Sequence, residues 1–458
     1  MSDARFDAIV IGAGLSGLVS AFELQKRGRS VAVVDANDHP GGVIDTIERE
    51  GFLVETGANS MLDSTPVLGE LFGELGILDE RVDPDATASR RYVVKAGRLV
   101  ALPASPAALL ASPLFSVRAK LALLREPFIP ALGACIEESI AAFARRRLGG
   151  EVLDYAIDPF VSGIYAGDPE LLSVRAAFPR LHAMEQRHGG LFRGQLAAMR
   201  ERRRAGRGAT PRSFSFKRGM RTLPAALAAR LTHYFPRVRV SAIEWHDDHY
   251  LLRTDGEPAL RARSLVIATP AYAAAAIVES LAPSAATALR AIDYPPVAVV
   301  ASAYRREDVA HDLLGFGFLA PGSERRRILG TLFSSSVFPQ RAPPGHVLLT
   351  SFVGGSRNRA AAALPDDAIA TLVGEELHEL IGASHPRWTS IVRWPRAIPQ
   401  YTLGHHERIA AIDAASASWP GLHYCASWRD GASVGDRVLS ARATAALVDQ
   451  PLAATPAR

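Results

Sequence analysis

Apolar positions along the chain change period several times, and the changes mark its elements. Ala8 to Ile11 is an uninterrupted apolar run, the segment to about Lys26 carries apolar residues at helical spacing, and Ser30 to Val34 is apolar again before Asp35. Strand, glycine turn, helix and strand make a βαβ unit. From Thr65 to Leu78, Val67, Leu68, Leu71, Phe72 and Leu75 fall on one helical face. "RRYVVKAGRLVALP" then alternates as a hairpin turning at Ala96-Gly97 and ending at Pro103. Between Ala107 and Gly149 the period is helical, broken by Pro113, Pro127 and Pro130. Its clearest helix is "IEESIAAFARRRLG", acidic at its start and basic at its end as the helix dipole prefers. Asp158-Pro159-Phe160 reads as turn and strand residues leading into "VSGIYAG", a backbone-rich stretch with no acid, base or metal ligand.

Downstream, "GMRTLPAALAARL" is helical, and "VRVSAIEW", "YLLRTDG" and "RSLVIATPAY" are strand patterns. Residues 297–353 alternate apolar and polar over "VAVVASAY", "GFGFLAP", "RILGTLFSS" and "VLLTSFVGG", which predicts a mostly antiparallel sheet. The chain closes on a strand, a glycine loop and a helix, "HYCASWRDGASVGDRVLSARATAALV". The expected fold class is α/β combined with α+β. A Rossmann-like nucleotide-binding domain is assembled from 1–72, 213–288 and 412–458, an antiparallel-sheet domain from 73–95 and 289–411, and a helical insert spans 96–212.

Composition narrows the classes. A chain of 458 residues with 48% hydrophobic and 22% charged content is long enough for two or three domains with ordinary cores. Met1-Ser2-Asp3-Ala4-Arg5 runs directly into an apolar strand without the pattern of a secretory leader, so a cytoplasmic protein is expected. Every apolar run falls short of the roughly 20 residues needed to span a bilayer. Cys135 and Cys425 are far apart and lack histidines at zinc spacing, so neither a disulfide framework nor a metal site is expected. The excess positive charge is concentrated at Arg187, Arg193, Arg200, Arg202, Arg203, Arg204, Arg207, Arg212, Lys217, Arg218 and Arg221, opposed only by Glu201. A solvated helix end and loop is one reading; attraction to an anionic membrane surface or acidic ligand is the other. Nucleic acid is not an expected partner, because no aromatic platform is interleaved with the arginines.

The chemistry begins at "GAGLSG". Gly12 takes the turn, Gly14 lets the backbone approach a diphosphate, and Gly17 brings the helix onto the strand. The helix N-terminus offers its amides, and Asp35 is placed for ribose hydroxyls. A second glycine pair, Gly41-Gly42, followed by an extended segment ending in "ETGANS", favours FAD over a nicotinamide cofactor. The expected FAD contacts are Gly12, Ala13, Gly14, Leu15, Ser16 and Gly17; Asp35, Ala36, Gly42 and Val43; Gly57, Ala58, Asn59 and Ser60; Val240; and Ser427, Ala432, Ser433 and Val434. His405 and His406 are expected at the surface or a helix start, and Cys425 as a small buried hydrophobe.

Taken in order, "GGVIDT…GANS", "SPLFSVRAKLALLREPFIP", "SGIYAGDPELLS", "GFGFLAP", "RRRILGTLFSSSVFPQRAP" and "AIPQYTLGH" resemble the oxygen-dependent protoporphyrinogen oxidase family, flavoproteins of the wider amine-oxidase-like superfamily. That resemblance covers nearly the whole chain. It implies six-electron oxidation of a porphyrinogen in three two-electron steps, FAD reoxidation by oxygen to hydrogen peroxide, and a role in haem biosynthesis. It further implies a flavin domain, a substrate domain and a membrane-facing helical domain, with the protein peripheral on the cytoplasmic face of a membrane. Arg91 stands where the family pairs an arginine with a substrate propionate, Arg90 being its neighbour. Phe316 and Leu319 stand where the ring is clamped, and Gly163 where a backbone carbonyl faces the reacting carbon.

Coproporphyrinogen III is the alternative substrate, a recruited small molecule of secondary metabolism the second, and a non-catalytic tetrapyrrole carrier the third. A homodimer is an open expectation. Three departures from the family pattern bear on this: Asp35 for a glutamate, Ala426 and Ser427 for a glycine and asparagine, and Arg437 for a frequent cysteine. A methyl group at Ala426 matters if that backbone needs positive φ.

Overall fold

The computed structural model describes residues 5–133, 136–204, 212–255 and 260–450. Cys135 and Arg207 lie outside them. The opening run forms the strand Arg5–Ile11, the helix Leu15–Lys26 and the strand Val31–Val34. Arg5–Ile11 pairs in parallel with Val31–Val34 on one side and with Leu260–Ile267 on the other. His233–Phe235 extends one edge, and Leu422–Tyr424 joins Leu260–Ile267 in parallel. The antiparallel strands Val240–His246 and His249–Thr254 complete a seven-stranded sheet drawn from three separate parts of the chain. Its central strands are buried on both faces, which is why they read as unbroken apolar runs. The closing helix Val434–Val448 packs against Leu15–Lys26.

A second seven-stranded sheet runs in the order Trp388–Trp394, Val297–Arg305, His346–Gly354, Gly330–Leu332, Gly317–Leu319, Arg91–Lys95 and Arg98–Ala101. All neighbours are antiparallel except Gly317–Leu319 with Arg91–Lys95. Both arms of the hairpin turning at Ala96-Gly97 lie in this sheet, so it straddles the 95/96 boundary read from the sequence.

Helices dominate from Pro106 to Arg204. Arg147, Glu126 and Glu185 pair inside them with no side chain more than 1% exposed. Glu126 also accepts the amides of Leu191 and Phe192 at the start of Leu191–Arg204, satisfying donors that a helix start leaves free.

One expectation is corrected here. Asp158-Pro159-Phe160 is not turn and strand: Asp158–Tyr165 is a helix that continues from the π-helical turn Leu153–Ile157, and that widened turn is where Pro159, which has no N–H to give, is accommodated. Val161 and Tyr165 bury one face against Ile140, Phe143, Leu172 and Tyr401. That burial outweighs the poor helix propensity of Pro159 and Gly163. His405 meets the helix-start alternative, beginning the helix His405–Ser416, and is buried there with Nε2 2.9 Å from the Trp428 carbonyl.

Candidate active site

Three glycines shape the nucleotide end. Gly12 has φ of 107°, and its amide donates to the Val34 carbonyl at 2.8 Å. At Gly17 a Cβ would stand 2.0 Å from the Gly12 carbonyl oxygen, so no other residue fits. Above Gly14 there is open space, and it gives the helix Leu15–Lys26 no side-chain cap. The first-turn amides therefore face an opening suited to a diphosphate. Leu15 and Ser16 are buried in that turn.

Gly41 donates to the Ala13 carbonyl at 2.8 Å, and a Cβ on Gly42 would lie 3.5 Å from the Gly14 Cα. The second glycine pair thus forms the other wall of the cradle. A Cβ at Gly57 would come within 2.1 Å of the Val43 carbonyl oxygen, which locks "GANS" beside Val43. Asn59 closes that turn by donating to the Gly57 carbonyl at 3.1 Å.

Asp35 is buried at the end of its strand, with Ala36 exposed just beyond. Its carboxylate accepts from the amides of Ala13 at 2.5 Å and Asn37 at 2.7 Å. It holds the glycine turn and keeps lone pairs for ribose hydroxyls. The carbonyl of Asp35 accepts from Val238, which brings Val240 to the same end of the sheet.

At the closing loop, Ala426 has φ of −151°, extended backbone that any residue adopts, so its methyl group strains nothing. Ser427 begins a short helix and accepts at its carbonyl from the Tyr401 hydroxyl. Ser433 caps the closing helix by accepting from the Asp436 amide at 3.1 Å, with Val434 next in line. Ala432 packs against the cluster holding Tyr165 and Tyr401, where this loop meets the substrate side. The uncapped turn, the open space at Gly14 and the buried unpaired hydroxyls of Thr269 and Tyr234 fit a flavin dinucleotide.

The four residues expected at the substrate lie together. Arg91 pairs in register with Gly317, and its guanidinium lies 5.1 Å from the Phe316 ring centroid. Leu319, two positions on, meets the helix Asp158–Tyr165: a Cβ on Gly163 would stand 2.8 Å from its Cδ2. Phe316 and Leu319 do not form one flat clamp. Phe316 lines a narrow cleft with Asn59, Ser60, Val337 and Phe338, whereas Leu319 faces Gly163. Glu55 and Arg341 form the floor of that cleft as a buried pair 2.5 Å apart. Burial pushes the Glu55 carboxyl up despite the adjacent guanidinium.

Several positioning residues carry no signal in the local sequence pattern. Asp158 accepts from the Gly322 amide at 2.7 Å and pairs with Arg357 at 2.5 Å, pinning one end of the Gly163 helix. Gln400 of "AIPQY" is buried and donates to the Tyr165 carbonyl at 2.8 Å, pinning the other. Among the described residues no amide donates to the Gly163 carbonyl, one of the last-turn acceptors of that helix. Burial pushes the Tyr165 and Tyr401 phenols up and His405 down to about 4, so these stay neutral at physiological pH. No group of three metal-ligating side chains occurs among the described residues.

Residues 15–449 match the family model described as flavin containing amine oxidoreductase. A chloroplastic protoporphyrinogen oxidase of Oryza sativa subsp. japonica is 35% identical over 97% of this chain and 88% of its own length. The mitochondrial protoporphyrinogen oxidase of Nicotiana tabacum is 33% identical over 96% and 94%. A coproporphyrinogen III oxidase of Bacillus subtilis is 28% identical over 95% and 96%. Among solved structures, an Exiguobacterium sp. 255-15 protein provisionally named a protoporphyrinogen oxidase superposes with a TM-score of 0.81 at 23% identity, covering 98% of this chain and 99% of its own.

Proposed function

We infer that this chain, which belongs to the protoporphyrinogen oxidase family of flavin-containing amine oxidoreductases, is an FAD-dependent oxidase converting protoporphyrinogen IX to protoporphyrin IX. The observation that carries the reading is the placement of Arg91 beside Phe316 and of Leu319 against the Gly163 backbone on neighbouring strands of one sheet. FAD, once bound, supplies the hydride acceptor, so the chain has to orient and enclose the substrate. Asp35 and the two glycine turns hold the dinucleotide. Arg91 anchors a propionate, Phe316 and Leu319 supply apolar surface, and the Gly163 carbonyl dipole favours positive charge developing on the carbon that loses hydride.

Three such steps remove six electrons, and oxygen is the acceptor we propose, with hydrogen peroxide as product. Coproporphyrinogen III is the second reading, favoured by the likeness to the Bacillus subtilis enzyme. The test is anaerobic mixing of FAD-loaded protein with each porphyrinogen. Bleaching of the flavin band, then porphyrin fluorescence on admitting air, is expected with protoporphyrinogen. Bleaching by the tetracarboxylate alone transfers the assignment to it, and no bleaching by either leaves a recruited substrate.

The three-part division, with 96–212 as the membrane-facing part, belongs to the same reading. Leu110, Val117, Leu121, Leu124 and Phe128 are each more than half exposed, and Phe192, Leu196 and Met199 add an apolar face to the arginine-rich helix Leu191–Arg204. An apolar face beside basic residues suits the surface of an anionic membrane, here on its cytoplasmic side. A homodimer is the competing occupant. Flotation with anionic but not neutral vesicles, lost on Phe128→Ser, supports the membrane; a monodisperse dimer that ignores vesicles supports the other.

A further inference from the structure

Arg341 ends the short helical turn Pro339–Arg341, is 1% exposed, and lines the cleft that Phe316 also lines. One of its nitrogens, Nη2, is engaged twice, with the Glu55 carboxylate at 2.5 Å and the Ser215 hydroxyl at 2.6 Å. Nη1 is buried as well, and among the described residues nothing accepts from it. The groups around it are taken. Glu55 also accepts from the Met220 amide at 3.0 Å and the Thr46 hydroxyl at 2.6 Å. The Ser334 and Thr350 hydroxyls, on the cleft wall, lie 2.8 Å apart and serve each other.

A buried donor of a charged group left without an acceptor is costly, and it is kept where something arrives to complete it. Phe316 connects this vacancy to the substrate side. Its ring lies 5.1 Å from the Arg91 guanidinium, and its amide donates to the Arg90 carbonyl at 2.7 Å, which fixes it beside that strand. The chemistry of a porphyrinogen then narrows the choice. Its pyrrole nitrogens are donors and its methyl, vinyl and bridging carbons are apolar, so its carboxylates are the acceptors it can offer. The two propionates of protoporphyrinogen IX stand on adjacent pyrroles, and with one held at Arg91 the other is delivered to the same edge of the ring.

We propose that Arg341 is a second carboxylate anchor, its Nη1 facing the cleft and taking the propionate next to the one held by Arg91. This rests on the FAD oxidase reading. Ser60, on the same wall, offers the carboxylate a hydroxyl. Two carboxylates then share one guanidinium, and burial already inclines Glu55 to hold the proton that relieves their repulsion. Coproporphyrinogen III also carries propionates on adjacent pyrroles, so the anchor serves either substrate.

The test uses FAD-loaded protein and three probes: protoporphyrin IX, its monomethyl esters and its dimethyl ester, with binding read from quenching of porphyrin fluorescence. Each anchor lost removes a charge-assisted hydrogen bond, so wild type should bind a monoester about tenfold and the diester about 100-fold more weakly than the diacid. A monoester bound as tightly as the diacid overturns the proposal, because one anchor then suffices and Nη1 meets only water. Leu53→Phe, at a half-buried position lining the cleft, fills it without touching the Glu55–Arg341 pair. It should weaken the diacid about tenfold, to the level of the monoester, and leave the monoester where it was. Equal weakening of diacid and diester overturns the proposal, since the cleft then holds an apolar part of the ring. Arg341→Lys keeps a positive charge for Glu55 and should weaken the diacid likewise; loss of FAD with diacid binding intact overturns the proposal by assigning Nη1 to the flavin. Wild type that oxidises neither porphyrinogen removes the oxidase reading and this inference together. Wild type that oxidises protoporphyrinogen yet binds monoester and diacid alike removes the inference alone.

Discussion

Gly163→Ala puts one methyl group where the Gly163 helix meets the substrate sheet. The added Cβ would lie 2.8 Å from Leu319 Cδ2, with Cδ1 at 3.5 Å and Cγ at 3.8 Å. Carbon atoms pack at about 3.5–4.0 Å, so the end of Leu319 or the helix has to give by about 1 Å. Leu319 has rotameric freedom to move, and alanine is better than glycine by about 1 kcal/mol inside a helix. Stability should therefore change by less than about 1 kcal/mol in either direction. Turnover should not be spared, because the displaced leucine intrudes where the porphyrinogen rests, and a misplacement of about 1 Å costs about 100-fold. The assay is the anaerobic rate of flavin bleaching, read beside the thermal midpoint and FAD content. Leu319→Ala in the same chain relieves the contact and should recover part of the rate. A single variant that folds, holds FAD and bleaches within about twofold of wild type refutes the placement of substrate against this contact.

Arg91→Ala should raise KM about tenfold with kcat nearly unchanged, since a propionate contact remote from the reacting carbon serves ground and transition states alike; a fall in kcat at constant KM contradicts the anchor role. Arg341→Met strands Glu55, which is 3% exposed, and should cost about 3–5 kcal/mol in urea unfolding near pH 8. The Glu55 carboxyl sits above its ordinary value in the fold, so the folded state binds its proton more tightly and stability is lost as pH rises through the folded value. Part of the Arg341→Met deficit should return on acidification, and a pH-independent deficit argues against this account. Arg147→Met leaves Glu126 buried without its cation, while Glu185 keeps Arg146 at 2.8 Å, and should cost about 3–5 kcal/mol and raise hydrogen exchange across the helices it joins; unchanged protection there refutes that role.

What was legible in the sequence is what local geometry demands. Gly12, Gly14, Gly17 and Asp35 announce the nucleotide cradle because a tight turn, a close backbone approach and a carboxylate at the end of the next strand lie within one βαβ unit, whose contacts are few residues apart. The second sheet was readable for a similar reason: alternation over short runs fixes which face of each strand is buried, whatever the order of the strands. Around Gly163 the local signals pointed the wrong way, since Pro159 and a central glycine argue against a helix. Tertiary packing decided it, with Val161 and Tyr165 filling the hollow beside Tyr401 and Gly163 the space left by Leu319. Ala426 was a concern that only its φ of −151° removed. The pairing of Glu55 with Arg341 and the pinning of one helix by Arg357 and Gln400 belong wholly to the tertiary structure. Each joins groups far apart in the chain through burial, and burial is a property of the folded packing that no local window of residues carries.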